Sequence, residues 1–198
     1  LGILVALSSA TEMDKARWLI PDATFPKSVI SVGGRFGYAD QGETANTQVT
    51  VFDYGDTQLI FEVRGLATDT FHGEKVGNIA HLEEGTIAGN TFYPKGNKKP
   101  EPLPKVEAKL GPGKNHFANF IEAVRSRKTT DLNADILKGH YSSALCHLAN
   151  ISYRLGETTP FDSATKCFGD DKEAYWTLAR MEEHLGLEVV ALPERAEL

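Results

Sequence analysis

The feature that most constrains the fold is a pair of consecutive amphipathic helices predicted between residues 116 and 156. In the first helix, apolar residues recur at i, i+3, i+4 and i+7, which is the spacing of one helical face: Phe117, Phe120, Ile121 and Val124. The second helix, after an N-cap at Asn133, has a predicted buried stripe that runs for five turns: Leu137, Tyr141, Ala144, Leu148, Ile151 and Leu155. Two such faces need a broad apolar partner, so the rest of the chain should supply a sheet.

Alternating segments before residue 94 predict that sheet. Residues 27–38 alternate apolar and polar side chains through Gly33 and Gly34, which favours a strand with a close backbone approach over a dinucleotide-binding turn. Two hairpins follow, in which residues 47–53 and 58–64 flank a turn at 54–57, and residues 76–82 and 86–93 flank a turn at 83–85.

The remaining segments complete a single predicted domain over residues 1–198. A short helix is expected at 12–20, a third main helix at 171–185, and an edge strand at 189–191. Residues 95–112, rich in Pro, Lys and Gly, are expected to form an extended connector between sheet and helices. Strands followed by helices indicate the α+β class: an open, mostly antiparallel sheet with helices packed on one face.

Charge and hydropathy narrow the classes of partner. A net charge of −6 and a pI near 5.5 argue against nucleic acid, and no apolar run reaches the roughly 18 residues of a membrane span. Two cysteines, Cys146 and Cys167, do not fix the compartment, so the cytoplasm and the periplasm both stay open. The apolar run at 1–10 fits a secretory signal remnant, a buried strand or the boundary of a longer domain, and we favour the boundary.

The sequence contains no clear catalytic or metal-binding group. His140 and His147 lie two helical turns apart, roughly 10 Å along the axis, which is too far for one metal ion. Ser142 and Ser143 stand inside a helix without a nucleophile elbow. We therefore predict no catalytic, cofactor-binding or metal-ligating residue.

One polar set suggests a binding surface. Glu62 and Arg64 are two residues apart on one strand and so share a face, Arg35 lies on the polar side of another strand, and His72 follows nearby. If these faces coincide, Arg35, Glu62, Arg64 and His72 could bind a sugar, a polyol, an acid or another protein. A structural ion pair on a solvated or dimeric face explains the same residues at least as well.

Five segments in order resemble the Gfo/Idh/MocA oxidoreductase family, and most of all its bacterial subgroup with a distinctive C-terminal domain. The segments are EMDKARW, VGGRFGYADQGETANTQ, FEVRG, HFANFIEAVRSRK and DLNADILKGHYSSALCHLANISYRLG, and the resemblance spans about residues 12–185. It implies an NAD(P)-binding Rossmann domain that precedes this region in the family. It also implies a C-terminal α/β domain whose open sheet covers the active site and mediates oligomerisation.

The chain departs from that family at the positions that carry chemistry. No strand, Gly-rich turn and helix unit is present, and the family's Glu-Lys-Pro motif is missing. The position of the family's catalytic histidine holds Thr11 and that of its polar partner holds Leu7, neither of which acts as an acid or base near neutral pH. The resemblance thus implies NAD(P) for the full-length family, and we expect this chain to bind none.

Two functions follow as hypotheses. The first is a substrate-covering and oligomerisation domain of an NAD(P)-dependent sugar or polyol oxidoreductase, inactive by itself. The alternative is a stand-alone, non-catalytic binding or assembly module derived from that domain. In both, we expect a homo-oligomer that uses the uncovered sheet face around Ile60, Glu62 and Arg64, because a face without helices is hidden against a partner.

Overall fold

The computed structural model describes residues 2–6, 10–96, 99–107, 109–156 and 168–186. Within these ranges it contains four α-helices: Ala10–Trp18 (α1), His116–Ser126 (α2), Ile136–Leu155 (α3) and Lys172–His184 (α4). The strands are Gly2–Ala6 (β1), Ser28–Gly34 (β2), Thr47–Asp53 (β3), Gln58–Arg64 (β4), Gly77–His81 (β5), Gly85–Ala88 (β6), Thr91–Pro94 (β7) and Glu101–Pro102 (β8). None of the described helices combines the length and apolar character needed to cross a bilayer.

All eight strands form one open sheet in the order β2-β3-β4-β1-β5-β6-β7-β8. Every neighbouring pair is antiparallel except β1 and β4, which run parallel with Ala6 beside Glu62. The predicted α+β class with an open, mostly antiparallel sheet is confirmed. The N-terminal run, whose nature the sequence left open, supplies a strand at the centre of this sheet.

Each face of the sheet has its own hydrophobic core. On one face, α1 and α3 cover the strands through a cluster that includes Met13, Phe52, Leu59, Phe61 and Leu145. On the other face, α4 packs on β3 and β4 through a second cluster: Val49, Val51, Ile60, Ile79, Ala88, Phe168, Ala174 and Met181. These assignments follow strand alternation, since Val49 pairs with Glu62 and Thr50 with Phe61 on opposite faces.

The placement of the helices therefore differs in one respect from the prediction made from the sequence. We expected helices on a single face, and this describes α1 and α3, but α4 lies on the opposite face. The physical reason is that β3 and β4 carry apolar side chains on both faces, so both must be covered.

Several local predictions are confirmed. The turn at 54–57 closes the β3–β4 hairpin with a hydrogen bond from Tyr54 N to Thr57 O at 3.0 Å, and Gly55 has φ +100°. The predicted close approach at Gly33 is present, because a Cβ there would collide with Thr47 O. The helix predicted at 171–185 is α4, Lys172–His184, and Asp171 is its N-cap, accepting a hydrogen bond from Ala174 N at 3.0 Å.

Three segmental predictions are wrong in detail. Residues 86–93 are two strands, β6 and β7, because Gly89 adopts φ +55° and reverses the chain. The connector at 95–112 is partly a strand, since β8 pairs with β7 at the sheet edge. The N-cap of α3 is Asp135, whose carboxylate accepts from Leu137 N at 2.8 Å, whereas Asn133 accepts from Gly111 N. The predicted strand at 189–191 lies outside the described residues.

The predicted buried stripe of α2 is wrong, and that of α3 is correct only in part, since Leu148 packs against the first core cluster. On α2, the four apolar residues of the stripe are exposed, and Asn119 and Ala123 are the buried residues. On α3, Ser142, Leu145 and Ala149 face the core, while Leu137, Ile151 and Leu155 are exposed. The helical period groups residues into faces correctly, but neighbouring elements decide which face is turned inward.

Candidate functional site

The candidate site lies at the end of the sheet where the two parallel strands finish. Ala6 at the end of β1 is level with Glu62 of β4 and with Gly77 at the start of β5. Helix α1 begins at Ala10, so its first turn lies at this same end. In open sheets, ligands bind outside the carboxyl ends of parallel strands, and β1 and β4 are the parallel pair in the described sheet.

A buried ion cluster occupies this end of the sheet. Glu62 is fully buried, and its Oε2 accepts from Arg64 Nε at 2.8 Å and lies 2.6 Å from Arg64 Nη2. Its Oε1 accepts from Nη1 of Arg180, on α4, at 3.3 Å. Two guanidinium groups thus surround one carboxylate in a poorly solvated place.

Aromatic rings flank the ion cluster. The guanidinium of Arg180 lies 3.7 Å from the ring centre of Phe71 and 4.7 Å from that of Trp176. Phe71 belongs to the loop after β4, where its backbone pairs with Glu74. The exposed His72 ring lies 4.6 Å from Phe71 and 6.0 Å from Tyr93. The loop therefore presents half-exposed rings beside buried charges, and such surfaces suit the apolar and polar sides of a sugar ring.

The structure brings together three of the four residues predicted for the site. Glu62 and Arg64 form the ion cluster, and His72 lies at its outer edge behind Phe71. Arg35 does not join them: it follows β2 and donates to Thr44 O at 2.6 Å while pairing with Asp40. It thus stabilises its own loop.

Sequence reasoning missed the contribution of α4. Trp176, Arg180 and His184 recur at i, i+4 and i+8 and so share one helical face. That spacing was visible in the sequence. What the sequence could not show is that this face lies against Glu62, 118 positions earlier in the chain.

Two groups on α4 have shifted acid–base properties. Burial lowers the pKa of His184, the charge of Arg64 lowers it further, and Glu62 acts in the opposite direction. The buried Nε2 of His184 has no hydrogen-bond partner among the described residues. Burial raises the pKa of Glu182, two positions before His184.

The His184 shift predicts a pH dependence of stability. Because the folded-state pKa lies below the ordinary value of 6.5, the unfolded chain takes up the proton first as the pH falls. His184 should therefore lower the free energy of unfolding as the pH falls from about 6.5 to its folded-state pKa. Urea unfolding at a series of pH values should show a smaller loss for His184→Gln than for the wild type. The raised pKa of Glu182 is common to both proteins and cancels in the difference, so equal pH profiles would contradict the prediction.

The start of α1 lies at the same end of the sheet as the ion cluster but on the opposite face. Glu12 Oε2 accepts from Asn78 of β5 at 2.8 Å, and Oε1 pairs with Lys15 at 2.8 Å. Thr11, which holds the position of the family's catalytic histidine, is exposed at the same helix start. A hydroxyl there can donate or accept a hydrogen bond but does not exchange protons near neutral pH.

The residues at this helix start do not fit a dinucleotide. A pyrophosphate needs free backbone amides and positive potential at a helix N-terminus, approached through glycines. Here the link between β1 and α1 contains Leu7, Ser8 and Ser9, and the buried carboxylate of Glu12 lies in the first turn. Its negative charge opposes a phosphate. Among the described residues there is also no group of three His, Cys, Asp or Glu side chains that could hold a metal ion.

Comparison with known proteins matches this chain to a family model described as "Oxidoreductase family, C-terminal alpha/beta domain" over residues 70–183, more than half of the chain. A search of curated proteins finds no match.

Three solved structures are similar. The inferred oxidoreductase yvaA from Bacillus subtilis has a TM-score of 0.53 at 14% identity, with 81% of this chain and 57% of yvaA covered. An inferred oxidoreductase from Klebsiella pneumoniae has a TM-score of 0.53 at 12% identity, with coverages of 92% and 58%. The WlbA dehydrogenase from Bordetella pertussis, in complex with NADH and UDP-GlcNAcA, has a TM-score of 0.48 at 14% identity, with coverages of 81% and 55%. This chain thus spans less than three fifths of each of these proteins, and for the two with TM-scores of 0.53 the likeness concerns the fold.

Proposed function

We propose that this chain, which belongs to the Gfo/Idh/MocA family of oxidoreductase C-terminal alpha/beta domains, covers the substrate of an NAD(P)-dependent sugar or polyol oxidoreductase. The observation that supports this is the convergence of the buried Glu62–Arg64–Arg180 cluster and half-exposed aromatic rings at the end of the parallel strands. Guanidinium groups hydrogen-bond hydroxyls and carboxylates, and rings pack on the C–H face of a sugar.

In this role the chain binds and orients but transfers no proton or hydride. Arg64 and Arg180 supply positive charge, and His72 and Tyr93 supply a ring surface near the solvent. Thr11 offers a hydroxyl at the helix start and no base. NAD(P) supplies the hydride acceptor in such enzymes, and the groups present at the start of α1 do not fit it.

The alternative function is a non-catalytic binding or assembly module. The observation that favours it is the same Thr11, an exposed hydroxyl without acid–base function, in a chain that has the charged cluster of Glu62, Arg64 and Arg180. Such a chain would keep ligand binding and lose turnover. The substrate-covering function and a sugar-binding module both predict a sugar or polyol ligand, so binding is the property to measure first.

We also propose that the chain forms a homo-oligomer, but its contact surface differs from the one predicted from the sequence. Helix α4 covers Ile60 and Glu62, so the face around these residues is closed within one chain. The outer part of the same face stays open, and Ile30 on β2 is 41% exposed there. We place the proposed contact along β2, and Ile30→Lys should dissociate the oligomer in light scattering. A monomer in the wild type would refute the proposal.

Tryptophan fluorescence provides a direct test of ligand binding. The chain has two tryptophans, and Trp18 is exposed on α1, so Trp18→Phe leaves Trp176 beside Arg180 as the single reporter. Titration with inositol, glucose and gluconate is expected to give saturable changes in the millimolar range, near −4 kcal/mol. His72→Ala should weaken this binding by about fivefold, the effect of roughly 1 kcal/mol from one ring contact.

The control and the contradicting results are equally direct. His116→Ala, which removes an exposed histidine far along the chain on α2, should leave the titration unchanged. NAD and NADP should give no saturable change tighter than about 1 mM. Failure of all three polyhydroxy ligands to bind would refute the proposed function. Tight NAD binding would refute the prediction that this chain binds no dinucleotide.

A further inference from the structure

Helix α2 presents its apolar side to solvent. The exposed fractions are 70% for Phe117, 62% for Phe120, 47% for Ile121 and 44% for Val124. With roughly 150–250 Å² available per aromatic side chain, this stripe exposes on the order of 400 Å² of apolar surface. The largest apolar patch on a folded monomer measures about 300–600 Å² and is often functional, so this stripe is a candidate interaction site.

A polar network holds α2 in this orientation. Asn119 is buried on the opposite side of the helix, where its Nδ2 donates to Pro112 O at 2.8 Å and Asp131 O at 2.7 Å. Its Oδ1 accepts from Asn133 N at 3.0 Å. Rotating the helix to bury the stripe would break all three hydrogen bonds inside a poorly solvated place, so the outward orientation is part of the fold.

The backbone around Asn119 reinforces this arrangement. Gly113 has φ +107°, and a Cβ there would lie 2.5 Å from Asn119 N and 2.8 Å from Ala118 C. Ser126 donates to Asp131 Oδ2 at 2.6 Å on the same side of the helix. The segments before and after α2 thus pack closely against its polar side and not against its apolar side.

Basic residues surround the stripe. Lys114 precedes the helix, and Arg125, Arg127 and Lys128 end it, all of them exposed. The acidic residue of α2, Glu122, pairs with Arg125 at 2.7 Å. From residue 95 to residue 128 the sequence has nine Lys or Arg and three Glu, a formal charge of +6 in a chain of net charge −6.

We propose that α2 docks into an apolar groove on the surface of another protein, and that carboxylates border this groove. The spacing i, i+3, i+4 and i+7 of its exposed residues is that of helices that anchor in grooves. The charges at both ends of α2 call for acidic groups on the groove rim. Two copies of α2 in antiparallel contact would instead oppose Lys114 with Arg125 and Lys128, so self-association through α2 is unfavourable.

Selection from a display library of ankyrin-repeat domains with a randomised concave face tests the chemistry of this surface without presuming a partner. Binders are expected to be rich in Asp and Glu around apolar positions. Phe117→Ser with Phe120→Ser should weaken them at least 100-fold, and Arg125→Glu with Lys128→Glu at least 10-fold. Leu155→Ser, which alters an 81% exposed apolar residue on α3, is the matched control and should have no effect. Unchanged circular dichroism would show that each variant folds.

Three results would overturn the proposal. The first is a set of binders whose affinity is insensitive to both α2 variants. The second is a dimer in sedimentation velocity that Phe117→Ser with Phe120→Ser abolishes, which would identify a second copy as the occupant. The third is co-sedimentation with phosphatidylglycerol vesicles that depends on the same residues, which would identify a lipid surface. Loss of sugar binding would leave the proposal intact, since the two sites share no residue.

Discussion

Replacement of Glu62 by Gln is expected to lower the free energy of unfolding by about 3–5 kcal/mol, the effect of removing one partner from a buried ion pair. Gln has nearly the same size and removes the negative charge. Arg64 and Arg180 would then face each other across a neutral amide in a place where water cannot solvate them. The loss should appear as a lower midpoint in urea unfolding, with an unchanged slope if the native state stays compact.

A matched variant separates burial from charge. Glu122 forms an ion pair of the same type with Arg125 at 2.7 Å, but on the exposed surface of α2. Glu122→Gln is therefore expected to change the free energy of unfolding by less than about 1 kcal/mol. Equal effects of the two substitutions would contradict the buried cluster and the position of α4 on the sheet.

The second large effect is expected at Arg17, which joins α1 to α3 on the other face. Arg17 is 6% exposed, and its Nη1 donates to Ser142 Oγ at 2.9 Å and to Lys138 O at 3.3 Å. Its Nη2 donates to Ala23 O at 2.8 Å. Arg17→Met removes these bonds and the ion pair with Asp14 at 3.4 Å, so the free energy of unfolding should fall by about 2–4 kcal/mol.

The control for Arg17 is Arg154, which is half-exposed on α3 and lies 3.7 Å from Glu43. Arg154→Met should change the free energy of unfolding by no more than about 0.5 kcal/mol. A variant as stable as the wild type would show that Arg17 does not anchor α1.

The family resemblance and the fold class could be predicted because they rest on order and pattern along the chain. The alternation in residues 47–53 and 58–64 specifies strands, and the turn between them specifies their pairing. The site was predictable only in part. Glu62 and Arg64 are two residues apart on one strand, so their common face follows from the period of two, whereas the assignment of Arg35 to that face required a register that the sequence does not contain.

The helices show most clearly what tertiary structure decided. The period of α2 correctly grouped Phe117 with Phe120, but Asn119, through Pro112 and Asp131, turned that group towards solvent. The sequence predicted the position and length of α4 to within one residue at each end. Its side of the sheet depends on contacts across 118 positions with Glu62. Local hydrogen bonding and side-chain period therefore determine each element, whereas the free energy of burying one face rather than another depends on partners that meet only in the folded chain.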